Sequence, residues 1–175
     1  MIQFRSNRIY RLATLRVEYT TYDCRRSQDS IGVNGDHRDI FVAAGDSNDT
    51  TGVHPYWYAR VLGIYHATVQ HPTVADVKGR EMDFLFVRWF KYDSTWRAGW
   101  RQKRLDRICF HGPNEIQFGF LDPSQVIRAC HLIPAFEHGK TGMFFHGNSV
   151  YMPAGGDWRW HYVNRSVTLY PFVEL

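Results

Sequence analysis

Apolar residues along this chain gather in short runs rich in β-branched and aromatic side chains, a pattern of strands rather than helices. Two runs dominate, Tyr56–Tyr65 and Phe84–Phe90. A polar stretch with Pro and Gly, His71 to Arg80, lies between them. This predicts two adjacent antiparallel strands over about Trp57–Val69 and Met82–Tyr92. In the first, Tyr58, Arg60, Leu62, Ile64 and His66 fall on one face, and Trp57, Ala59, Val61, Gly63 and Tyr65 on the other. Neither face is purely polar, as expected at the centre of a curled sheet or barrel.

Shorter elements surround this pair. Period-two positions predict a strand within Arg11–Tyr22, followed by a loop over Arg25–Gly35, a strand over Asp39–Ala43 and a polar turn over Gly45–Gly52. Leu105–Phe110 and Ile116–Phe120 read as two more strands. Asp122 followed by Pro123 is an N-cap with proline at the first helical position, so one helical turn is expected near Ser124–Ile127, and Ala129–Ile133 as the last strand. The expected fold is mainly β: a small curled antiparallel sheet or barrel with short helical turns and loop-rich ends. Its core spans 39–134, between an N-terminal strand-and-loop extension over 1–38 and a C-terminal loop and aromatic extension over 135–175.

Three segments in order, Tyr58-Ala59-Arg60-Val61, Val87-Arg88-Trp89-Phe90 and Asp122-Pro123-Ser124-Gln125-Val126-Ile127-Arg128-Ala129-Cys130-His131-Leu132-Ile133-Pro134, resemble the bromo-adjacent homology (BAH) domains. The resemblance runs from about Asp39 to Pro134. It implies a chromatin-associated binding barrel rather than an enzyme, and some BAH domains hold a methylated lysine in an aromatic cage. The wording of His54–Ile64 and Phe118–Pro123 is also similar to a group of proteins abundant in mushroom-forming fungi and often linked to transposon-like genes. That second resemblance covers nearly the whole chain, but residues 166–175 depart from the group's charged tail.

Composition fits one domain without disulfides. Hydrophobic residues make up 44% and aromatics 16%, enough for a sizeable core at this length. Cys24, Cys109 and Cys130 are odd in number and show no C-x-x-C spacing, which points to free thiols in a reducing compartment and away from a zinc site. No apolar run approaches the roughly 20 residues of a membrane helix, and the first residues lack a signal-peptide core, so a nuclear or cytoplasmic location is expected, with no membrane partner.

Charge sharpens the picture. The net charge is +4, carried by 17 Arg and 4 Lys against 17 acids. The segment Arg97–Arg107 holds five cations, Arg97, Arg101, Lys103, Arg104 and Arg107, against Asp106 alone, so its local excess equals that of the whole chain. Arginine interleaved with tryptophan suits a phosphate backbone or an acidic protein surface. A second candidate is an aromatic pocket of Tyr58, Trp89, Trp96 and Trp100, whose ring faces would hold a cation. The nine histidines show no H-x-x-x-H spacing, Gly139-Lys140-Thr141 lacks a preceding glycine loop, and no nucleophile motif occurs. No catalytic residue, metal or cofactor is expected. The sequence thus reads as a non-catalytic module for a chromatin protein tail or nucleosome, or for DNA or RNA. The alternative is a structural or oligomerisation module holding together the remainder of a larger mobile-element polypeptide.

Overall fold

The computed structural model describes residues 3–21, 24–35, 37–44, 54–70, 79–144 and 156–164. The predicted turn over 45–52, the loop over 71–78 and the tail over 166–175 lie outside them. Within the described residues the chain is mainly β and antiparallel. The strands are β1 (Gln3–Phe4), β2 (Tyr10–Leu12), β3 (Thr14–Thr20), β4 (Arg26–Gly32), β5 (Asp39–Ala43), β6 (Tyr56–Gln70) and β7 (Arg80–Tyr92). After these come β8 (Arg107–Phe110), β9 (Phe118–Leu121), β10 (Val126–Ala129), β11 (His131–Pro134), β12 (Lys140–Thr141), β13 (Asp157–Trp158) and β14 (His161–Asn164).

One sheet runs in the order β10-β5-β6-β7-β8-β14-β11, with β1 and β2 also paired to β6, and β9 to β7. Its two ends, β10 and β11, are consecutive in the chain, separated by Cys130, whose N–H donates to Asp39 O at 2.8 Å. The sheet therefore curls back on itself. Of the two forms the sequence allowed, it is the curled sheet, since among the described residues no ladder closes it into a barrel.

Curling gives two apolar layers. Inside the curl lie Phe41, Tyr58, Phe90, Ile108, Phe110, Cys130, Leu132 and Val163. Against the other face, Ile40, Val42, Ala59, Val61, Leu85, Val87, Leu121 and Val126 pack with Ile31 from β4. The two layers thus draw on residues outside 39–134, Ile31 on one side and Val163 on the other.

Two local features differ from the sequence reading. Arg26–Gly32, expected as loop, is a strand that pairs with β3 from Thr14↔Gly32 to Thr20↔Arg26. Of its inward positions Ser27, Asp29 and Ile31 only the last is apolar, so the hydrophobic alternation was too weak to read. Asp29 is half-buried and satisfied, accepting from Ala129 N–H at 3.0 Å and from Arg128 Nε at 3.2 Å. The second difference lies in β6, where the register shifts between Val61 and Gly63. Leu62 is the extra residue of a bulge, which reverses the facing of everything after it. Ile64 consequently joins Ala59 and Val61 in the same layer, whereas strict alternation placed it opposite them.

The Asp122 cap forms as expected: its Oδ1 accepts from Ser124 N–H at 2.8 Å and from Ser124 Oγ at 2.7 Å. The turn it starts is a single 3-10 turn, Pro123–Gln125, and Val126 already belongs to β10. Gly119 on β9 lets the Trp89 indole lie against the backbone, since a Cβ there would meet Nε1 at 2.7 Å. Gly119→Ala is expected to cost roughly 1–2 kcal/mol by overpacking, read as a lower urea midpoint at unchanged slope.

Candidate nucleic-acid interface

Between β7 and β8 the chain makes an ordered hairpin excursion, Asp93–Asp106, that carries most of the predicted basic site. Its base is stapled twice. Asp93 N–H donates to Arg107 O at 3.0 Å, and the Arg107 guanidinium returns two hydrogen bonds to Asp93 Oδ2, the one from Nε at 2.8 Å. Asp93 Oδ1 also accepts from Thr95 N–H and Oγ1, at 3.0 and 2.6 Å. Burial opposes ionisation of Asp93, but Thr95 and the Arg107 guanidinium outweigh it and hold the carboxyl below its ordinary value. On the other side Asp106 meets His54 Nε2 at 3.0 Å, which fastens the hairpin to the start of β6. The His54 ring stacks on Tyr92, 4.1 Å between centroids, and the Tyr92 hydroxyl donates to Tyr56 O at 3.1 Å.

The tip is closed by Gly99 N–H donating to Arg104 O at 3.0 Å and by the 3-10 turn Trp100–Gln102. Gly99 at φ 113° and Lys103 at φ 50° turn the chain. Arg97, Arg101, Lys103 and Arg104 are all exposed, and among the described residues none of the four makes an ion pair. Their charges are left to solvent or to a partner.

Arg107 does not belong with them. Its side chain is only 12% exposed and is neutralised by Asp93, so the fifth predicted cation is structural. It also fills an aromatic recess of the molecule's own, with its guanidinium carbon 4.2 Å from the Trp96 ring centroid and 4.9 Å from that of Trp160. Arg104 lies 4.9 Å over the same Trp96 ring, and the Trp96 Nε1–H donates to Leu105 O at 2.9 Å.

The predicted aromatic pocket is therefore not one site. Tyr58 is 2% exposed inside the curl. Trp89, paired with Ala59, faces the opposite layer, where it meets Trp57 edge-on at 6.2 Å. Trp96 is taken up by two arginines of the chain itself. Trp100 has its backbone in the 3-10 turn, and its side chain lies outside the described residues. Trp160, the second ring on Arg107, was missed, though its place in Trp158-Arg159-Trp160 marked it as aromatic and locally basic.

Other chemistry is muted. Among the described residues no three His, Cys, Asp or Glu stand where they could share a metal ion. Burial pushes the Cys109 thiol up to about 11, the Lys91 ammonium offsetting part of this, and raises the Cys130 thiol well above its ordinary value. Cys24 is exposed and free. Among the described residues no helix is long and apolar enough to cross a membrane. No family model, curated protein or solved structure matches this chain.

Proposed function

We propose that this chain is a non-catalytic binding module whose hairpin tip grips the phosphate backbone of nucleic acid, as a BAH-like chromatin component of the nucleus would. The observation that carries this reading is the set of four exposed cations, Arg97, Arg101, Lys103 and Arg104, on a tip fixed at its base by Asp93–Arg107 and Asp106–His54. A rigid base lowers the entropy lost on binding, and exposed cations release counterions from the phosphates they meet. Capture of a methylated lysine draws no comparable support, because Trp96 and Trp160 already grip Arg107.

The test is binding to labelled duplex DNA, RNA and a histone-peptide array across a salt series. Four contacts at about −0.9 each predict a slope of log affinity against log salt near −3.6 on duplex DNA. The double variant Arg101→Glu, Arg104→Glu is expected to flatten that slope towards zero. A slope unchanged in the variant, or peptide binding that survives it while duplex binding is absent, would sink the reading.

A second reading, a structural or oligomerisation module of a mobile-element protein, draws on the exposed apolar side chains of β7 and β9, Met82 at 45% and Phe120 at 72% exposure. Sedimentation across a concentration series separates it: this reading requires self-association, the first does not.

A further inference from the structure

We propose that the turn over 136–141, together with Arg159, is a second cationic contact for the duplex that the hairpin grips, held beside the hairpin by Arg107. The proposal rests on the hairpin reading and adds to it a binding surface from a separate part of the chain. Two cations carry it. Lys140 and Arg159 are exposed, and among the described residues neither makes an ion pair.

Arg107 is the link. Its Nε and Nη2 bond Asp93 at the hairpin base, while Nη1 donates to His138 Nε2 at 3.0 Å, in the 3-10 turn Phe136–His138. The same guanidinium touches a ring from each part, Trp96 of the hairpin at 4.2 Å and Trp160 at 4.9 Å. Backbone bonds fasten the turn to the Trp160 segment as well: Ala135 N–H donates to Trp160 O at 2.9 Å, and Arg159 N–H to Gly139 O at 3.1 Å. Gly139, at φ 65°, turns the chain into β12, where Lys140 pairs with Trp158 and sets its ammonium 5.2 Å over that ring. Contacts therefore run from Arg104 on Trp96, through Arg107 and Trp160, to Arg159 and Lys140.

Charge selects the occupant. The acid of the turn, Glu137, is already engaged: its Oε1 accepts from the Tyr162 hydroxyl at 2.9 Å and lies 3.2 Å from His138 Nε2. Asp157, the acid of β13, is buried against Arg88. What faces water is therefore positive, and it continues the positive tip. A small anion needs donors that converge on one point, whereas these cations are strung along a line. A polyanion with charges at fixed, short intervals, as on a nucleic-acid duplex, matches a line of cations fixed on a rigid base.

The test counts phosphates with the full chain and labelled duplex DNA. The hairpin alone accounts for a salt slope near −3.6, and two further phosphates steepen that of the parent to about −5.4. Lys140→Gln with Arg159→Gln is expected to return the slope to about −3.6 and to weaken duplex binding at about 0.1 M salt by more than about tenfold, at an unchanged urea midpoint. Arg16→Gln with Arg26→Gln removes the same charge from exposed positions on β3 and β4, and should leave the parent's slope in place. The proposal is overturned if Lys140→Gln with Arg159→Gln keeps the parent's slope while Arg101→Glu with Arg104→Glu flattens it, a result that leaves the hairpin reading standing alone. It is equally overturned if the β3 and β4 variant flattens the slope as much, since net charge then explains the effect. A slope that Arg101→Glu with Arg104→Glu does not move sinks both readings together.

Discussion

Replacing Asp157 by alanine is expected to remove about 3–5 kcal/mol of stability, the cost of stranding a buried charge. Its partner Arg88 sits in the middle of β7 at 2% exposure, donating from Nη1 to Asp157 Oδ2 at 2.7 Å. The guanidinium carbon lies 3.6 Å from the centroid of the Phe110 ring, and Arg60, its ladder partner on β6, brings a second cation beside it. Burial lowers the Arg88 pKa, with Asp157 opposing the fall. Arg60 has its own carboxylate, Asp39, at 2.7 and 3.0 Å, and Asp157 adds to its stabilisation. Urea unfolding of Asp157→Ala measures the effect, and a loss below about 1 kcal/mol would contradict it. Arg88→Met combined with Asp157→Leu should recover most of the loss, because the pair's attraction does little more than offset its desolvation.

Acidification is expected to weaken the fold through His161. This imidazole is 3% exposed, edge-on to Phe90 and Phe110, and its Nδ1 has no hydrogen-bond partner among the described residues. Burial, with Arg60 and Arg88 adding to it and Asp39 opposing, pulls its pKa down to about 4. Unfolded, the ring takes up a proton near its ordinary value of about 6.5. Between those values the unfolded chain binds the extra proton, so the contribution is complete above about 6.5 and is lost as pH falls towards 4. The difference corresponds to about 3 kcal/mol. His161→Gln cannot take the proton, and its urea midpoint should fall less than the parent's between about pH 7 and pH 4.5. Parallel curves for the two proteins would refute the assignment.

How far the sequence disclosed all this depended on whether the deciding interaction was local. Asp39–Ala43 and the Asp122-Pro123-Ser124 cap were legible because strand propensity and capping act over a few residues. The strand Arg26–Gly32 was not, because its inward Asp29 is satisfied by Arg128 and Ala129, about a hundred positions away. A bulge at Leu62 is likewise invisible to alternation, and one inserted residue misplaced half of β6. At the candidate site, charge density located the hairpin, but only the fold distinguishes Arg107, consumed by Asp93, from the four cations left exposed.

The single residue that separates β10 from β11 also fixes an order of assembly. During synthesis β5 to β8 emerge first, but β8 and β11 must both wait for His161–Asn164, the strand that lies between them. Until it arrives, Phe90, Phe110 and Leu132 have no Val163 to close over them. The nascent chain therefore carries its inner layer open to other chains until Val163 is made, a period in which a chaperone would find its binding surface ready-made.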